Sequence, residues 1–319
     1  MDKLNWRDHC KNHQNSEDFA KLNDYDQASE DLFRLQVPKF FKNLIDVTDP
    51  DDPLLLQILP AKHEQIDKSG YSIDAVGDLA SRKAKGIIHK YHGRVLLIAT
   101  GTCAINCRYC FRRSFPYTQN NASSQNWHEA IEYISANKDI HEVILSGGDP
   151  LMLSTKVLNN LTTQLKEIKS VKTLRIHTRI PLVTPSRITD NFLNWLNNLP
   201  FKKVMVLHCN HPQELTESHQ PILSSIKNTN TLLLNQSVLL KNINDNVEIL
   251  SVLSHKLFDF GILPYYLNQL DKVSGAHHFQ VSDDKAKLIH KQLLQKLPGY
   301  LAPKLVEEIQ GKKNKSPMF

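Results

Sequence analysis

The chain has 319 residues, 40% of them hydrophobic and 23% charged, with a formal net charge of +6. That balance belongs to a folded globular protein with length for a substantial core, and it excludes a disordered chain. The charge is too small and dispersed for a nucleic-acid surface, no apolar run reaches bilayer-spanning length, and five cysteines form no disulfide framework. The charged start, Met1-Asp2-Lys3-Leu4-Asn5, lacks the apolar stretch of a secretory signal. A reducing, cytoplasmic setting is expected, with neither membrane nor nucleic acid as partner.

Residues 1–90 alternate short helical patterns with Pro and Asp punctuation, as in Thr48-Asp49-Pro50-Asp51-Asp52-Pro53. They predict a helical N-terminal extension packed on the main domain. Cys10, with His9 and His13, reads as surface scatter. His89-Lys90-Tyr91-His92-Gly93-Arg94 reads by itself as a solvated basic turn.

Val95-Leu96-Leu97-Ile98-Ala99 then predicts a buried strand, and Cys103, Cys107 and Cys110 follow it in C-x3-C-x2-C spacing. One short loop can thus present three thiolates to a single iron–sulfur cluster. With no fourth thiolate at ligand spacing, one iron of a cubane would stay open to a small molecule. A structural zinc site is the alternative, its usual fourth ligand coming from His89 or His92. Cys10 and Cys209 stand alone.

Apolar, β-branched runs recur at Val143–Leu145, Leu174–His177, Val204–His208, Leu232–Leu239 and Ile262–Leu267. Helical spacing fills the intervals at Val157–Ile168, Ile188–Leu199, Val247–Phe260 and Ala286–Leu297. After the first interval the strands start about 30 residues apart, the length of one strand–helix crossover. Six units from residue 91 to 298 predict an α/β fold, an incomplete (βα)6 parallel barrel, with an open doubly wound sheet as the alternative.

Each strand ends in polar chemistry: the cysteines, Ser146-Gly147-Gly148-Asp149, His177-Thr178-Arg179, His208-Cys209-Asn210-His211, Asn235-Gln236-Ser237, and Asn268-Gln269-Leu270-Asp271. Ligands sit at the carboxyl ends of such strands, so these clusters make one large site. Glu307 and Glu308 follow on a final helical stretch. The basic tail Gly311-Lys312-Lys313-Asn314-Lys315-Ser316-Pro317 reads by itself as frayed.

The cysteine loop resembles the signature of the radical S-adenosylmethionine (SAM) enzymes, and the chain from about residue 30 onward resembles their lysine 2,3-aminomutase family. The resemblance implies a [4Fe-4S] cluster on Cys103, Cys107 and Cys110, with SAM on its open iron. Ser146, Gly147, Gly148 and Asp149 would hold the SAM amino group, and His208 and Gln236 would be further cofactor contacts. Arg94 and Lys90 match the segment that grips the phosphate of pyridoxal 5'-phosphate (PLP), an arginine being usual at position 90. Arg112 matches the residue for the substrate carboxylate. Asp271 and Glu308 match two acids for its distal ammonium, an aspartate being usual at 308. Lys315-Ser316-Pro317 matches the lysine that carries PLP, with Lys312 and Lys313 as lesser candidates, so residues 299–319 are expected to close the barrel mouth.

The implied reaction moves the α-nitrogen of L-lysine from C2 to C3, giving (R)-β-lysine. Within the family the chain is most similar to the EpmB branch, which supplies β-lysine for modification of elongation factor P beside a lysyl-tRNA-synthetase-like ligase. The sequence ends four residues after Lys315, and Asn246 stands where a zinc cysteine of the free-standing mutases would be. A homo-oligomer is compatible with the sequence. A radical SAM enzyme without PLP and a zinc-stabilised binding module are the rival readings.

Overall fold

The computed structural model describes Trp6 and residues 19–22, 24–120 and 127–318. Cys10, His9 and His13 lie outside them. Ten strands join one sheet in chain order. They are β1 (Arg82–Ala84), β2 (Ile87–Tyr91), β3 (Arg94–Thr100), β4 (Glu142–Gly147), β5 (Thr173–Thr178), β6 (Lys202–His208), β7 (Thr231–Val238), β8 (Leu263–Asn268), β9 (Lys304–Glu307) and β10 (Ser316–Pro317). Pairing is parallel from β3 through β9 and antiparallel at both margins.

Six crossover helices follow β3 to β8 in turn: α1 (His128–Ala136), α2 (Thr155–Lys166), α3 (Asp190–Asn197), α4 (Gln220–Lys227), α5 (Val247–Asp259) and α6 (Asp283–Lys296). Polar caps start several of them. The side chains of Ser154, Thr189 and Ser282 accept hydrogen bonds from backbone N–H groups of α2, α3 and α6. Asn246 does the same for α5, accepting from Glu248 and Ile249.

The two-residue period of the strands separates core from cavity. Val95 and Leu97, Val143 and Leu145, and Leu174 and Ile176 are buried in the hydrophobic core. Their neighbours Leu96, Ser146 and His177 line an interior cavity instead. Among the described residues the sheet's two ends share no backbone pairing. Even so, Lys90 on β2 reaches Glu308, just past β9, at 2.8 Å. The sheet is therefore curled, and an ion pair bridges the gap that hydrogen bonds leave open. This decides for the incomplete barrel.

Two expectations need correction. Residues 82–91 are strands rather than part of a helical lead-in, because Gly86 (φ 76°) turns the chain and buries Ile87 and Ile88 in the sheet. The sheet thus begins at Arg82, before residue 91, and helices within the extension are short, such as Gln27–Leu32 and Lys39–Lys42. The final stretch is likewise not helical. It forms β9 and β10, with Met318 buried and Pro317 on an edge strand, where its missing N–H is tolerated. Among the described residues no helix is long and apolar enough to cross a membrane.

Candidate active site

The barrel encloses a cavity of about 520 Å³, of a size that takes cofactors and a small substrate together. Cys103, Cys107 and Cys110 line one end of it, directly after β3. The N-terminal extension holds their loop from beneath. Gln36 donates its Nε2 to the Cys103 carbonyl at 2.5 Å, and Arg108 donates to the buried Glu64 at 2.5 and 2.8 Å. Arg113 donates to the same carboxylate at 2.7 Å. Arg112 and Arg113 thus lie in turns, before the first helical residue, Tyr117.

Burial pushes the Cys103 thiol well up and that of Cys110 up to about 11, and a neighbouring thiolate adds to both shifts. Such sulfurs need a positive centre to hold them ionised. Among the described residues no three His, Cys, Asp or Glu groups are arranged around a single metal ion. His89 bonds Tyr133 at 2.8 Å and His92 is exposed beside Asp139. Neither histidine lines the cavity.

Beside the cysteine loop runs the glycine pair. Gly147 has φ 111°, and a Cβ on Gly148 would stand 2.4 Å from the Thr102 carbonyl oxygen. Glycine is required here because β4 and the cysteine loop pack backbone to backbone. The Asp149 carboxylate, at the cavity edge, is taken up by protein donors. It accepts from Thr178 Oγ1 (2.7 and 2.8 Å) and from the backbone N–H groups of Leu151, Arg179 and Ile180. Its structural work ties β4 to the end of β5.

Across the cavity an alternating chain of charges links residues far apart in sequence. Lys315 Nζ donates to Asn268 Oδ1 (2.9 Å) and pairs with Glu308 Oε2 (3.2 Å). Glu308 Oε1 takes Lys90 (2.8 Å), Lys90 pairs with Asp78 (2.6 Å), and Asp78 takes Arg112 Nε (2.7 Å). Arg112 Nη1 ends the chain on Ser146 Oγ (3.2 Å). Burial raises both acids, but Lys315 and Lys90 hold Glu308, and Arg112 and Lys90 hold Asp78, below the usual carboxylate range. Lys90, with Val76 O as a third acceptor (2.8 Å), is committed to protein partners rather than presented to a phosphate. Arg94 stacks over Tyr91, lines the cavity and forms no ion pair among the described residues. Asp271 also lines the cavity, and burial pushes it up to about 7 against the pull of Lys315.

His208 and Gln236 reach the cavity from β6 and β7. Burial, then Arg179, pushes His208 down to about 3, leaving its Nε2 to share a hydrogen bond with Tyr109 Oη (2.9 Å). His177 lines the same wall with its buried Nε2 unpartnered. That orphan atom marks a space built for a polar ligand. Sequence reasoning did not assign Asp78, Asn268 or Arg179. Asn268 and Arg179 lay in the polar strand ends that flag such sites, whereas Asp78 left no signal.

The radical SAM superfamily model matches residues 97–206. The L-lysine 2,3-aminomutase of Escherichia coli (strain K12) is 44% identical over 292 residues, 92% of this chain and 85% of its own length. That of Haemophilus influenzae is 46% identical over 295 residues, 92% and 87% of the two chains.

The chain belongs to the L-lysine 2,3-aminomutase family.

The Clostridium subterminale member of that family is 32% identical over 90% of this chain and 69% of its own. A solved radical SAM methyltransferase, TsrM from Kitasatospora setae, aligns at TM-score 0.39 and 12% identity over 55% of this chain and 36% of its own, a likeness too loose to bear weight. Membership implies SAM and a [4Fe-4S] cluster. The residues present fit both: three sulfurs on one cavity wall, a backbone cradle beside them, and an unpartnered His177 nitrogen facing the same space.

Proposed function

We propose that this enzyme interconverts L-lysine and (R)-β-lysine by 2,3-amino migration, with PLP carried on Lys315, and that the β-lysine serves modification of elongation factor P by a lysyl-tRNA-synthetase-like ligase. The reading is supported above all by one observation: Lys315 and the three cysteines line the same cavity, although 205 residues separate Lys315 from Cys110. When bound, the cluster with SAM supplies radical hydrogen abstraction, and PLP supplies the carrier on which the nitrogen moves.

The chain's own residues divide the remaining work. Cys103, Cys107 and Cys110 hold the iron, and Gly147 and Gly148 let SAM approach the backbone. Arg94, unpaired by any carboxylate among the described residues, suits a phosphate. Arg112, fixed by Asp78, suits the lysine carboxylate. An amine is nucleophilic only after losing its proton, which Lys315 gives up to water while Glu308 Oε2, 3.2 Å from its Nζ, stays ionised. Once Lys315 is uncharged, that oxygen and Asp271 are left to pair with the distal ammonium of the substrate. The apolar part of the cavity lining would limit water and stray hydrogen donors near reactive species.

Anaerobic turnover of L-lysine with SAM, PLP and dithionite should yield (R)-β-lysine. Borohydride treatment followed by peptide mapping should place a pyridoxyl group on Lys315. SAM cleavage with no β-amino product and no label would refute the assignment. Loss of the β-lysyl mass from elongation factor P in cells lacking this enzyme tests the downstream role.

A further inference from the structure

Arg179, the first residue beyond β5, is 5% exposed and lines the cavity. Its guanidinium donates Nη1 to Cys107 Sγ at 2.8 Å and to Tyr109 Oη at 3.0 Å. Its Nη2 donates to Gln57 Oε1 at 2.7 Å and to Glu214 Oε2 at 2.8 Å. Glu214, itself fully buried, is locked in turn by the N–H groups of Asn210 (2.8 Å) and His211 (3.1 Å) and by Gln57 Nε2 (3.2 Å). Among the described residues Cys107 is the one cluster cysteine whose sulfur receives a charged hydrogen bond.

We propose that Arg179 is a positioning residue that sets the redox poise of the iron–sulfur cluster, its guanidinium bonding the Cys107 sulfur while Glu214 limits the charge delivered there. The inference rests on the cluster being held by the three cysteines. Adding one electron makes the cluster more negative, so a nearby buried cation stabilises the reduced form more than the oxidised form. Hydrogen bonds to cluster sulfurs act in the same direction. Glu214 opposes this while fixing the guanidinium in place. Arg179 therefore favours reduction, the state needed to cleave SAM, and Glu214 sets how far.

The test is an EPR-monitored titration with dithionite of the anaerobically reconstituted full-length enzyme, without SAM. Wild type, R179Q, R179K and E214Q are compared at matched iron and sulfide content. R179Q should lower the reduced-to-oxidised ratio at fixed potential about tenfold, equivalent to a fall of about 59 mV for one electron. R179K should lower it less, and E214Q should raise it. If R179Q fails to load iron, the sign of the E214Q shift decides. Wild-type potentials in the loaded variants, shifts of R179Q and E214Q in the same direction, or failure of every variant to load would overturn the proposal and leave Arg179 a purely structural strut. Failure of the wild-type protein to take up iron would instead defeat the cluster reading itself.

Discussion

The two ends of the cavity are built on opposite plans. The cysteine end is one continuous stretch, Thr100 to Arg113, whose ligands are fixed by covalent spacing and tight backbone packing. The lysine end joins Asp78, Lys90, Asn268, Glu308 and Lys315, drawn from an N-terminal turn and from β2, β8 and the tail. Its members are held by alternating charge. The first plan gives ligands that a cluster can count on before substrate arrives. The second gives partners that can exchange, because each carboxylate there already serves two cations and can release one.

The largest effects should separate the two ends. Alanine at Cys103, Cys107 or Cys110 should abolish iron binding and bring activity below detection, while borohydride labelling of Lys315 persists; loss of both together would show that the ends are not independent. K315A should do the reverse, retaining iron by chemical analysis and losing all amino migration and the label.

Smaller changes probe the charge chain alone. D78N leaves Arg112 and Lys90 without their shared carboxylate, so KM for lysine should rise about tenfold, equivalent to about 1.4 kcal/mol, at unchanged iron content. A KM equal to wild type would remove Asp78 from substrate positioning. Asp271 must be ionised to attract an ammonium, and burial pushes its carboxyl up to about 7. KM should therefore climb as pH falls below about 7, approaching tenfold per unit, and D271N should flatten that limb at a uniformly weak value. The smallest effect lies outside both ends: N246A removes the cap of α5 and should cost about 1 kcal/mol in thermal or urea unfolding, with kcat and KM unchanged.

Much of this was legible beforehand where the signal is local. The six apolar runs became β3 to β8, since a strand buried in a parallel sheet shows as a short continuous apolar run. The caps were less legible: Ser154 and Ser282 precede the periodic stretches Val157–Ile168 and Ala286–Leu297, whereas Thr189 lies inside Ile188–Leu199. Non-local pairing left no such trace. Residues 304–307 carry two apolar positions, Leu305 and Val306, between Lys304 and Glu307, which fit helix or strand equally, and only docking against β8 selects the strand. Asp149 shows the converse: a carboxylate after a glycine pair looks ligand-facing in sequence, yet it is taken up by four protein donors, three of them at the neighbouring strand end (Thr178, Arg179 and Ile180) and the fourth the N–H of Leu151.

Sequence alone determined that three thiolates would share one loop and that the strands would be parallel, because both follow from spacing along a covalent chain. Tertiary structure decided that Lys90 meets Glu308 across the barrel gap, that Asp78 joins Arg112, and that Arg179 reaches the Cys107 sulfur. The reason is physical: a charged side chain has the same composition and periodicity whether solvated or buried, and only the folded neighbours determine which opposite charge or sulfur it must satisfy.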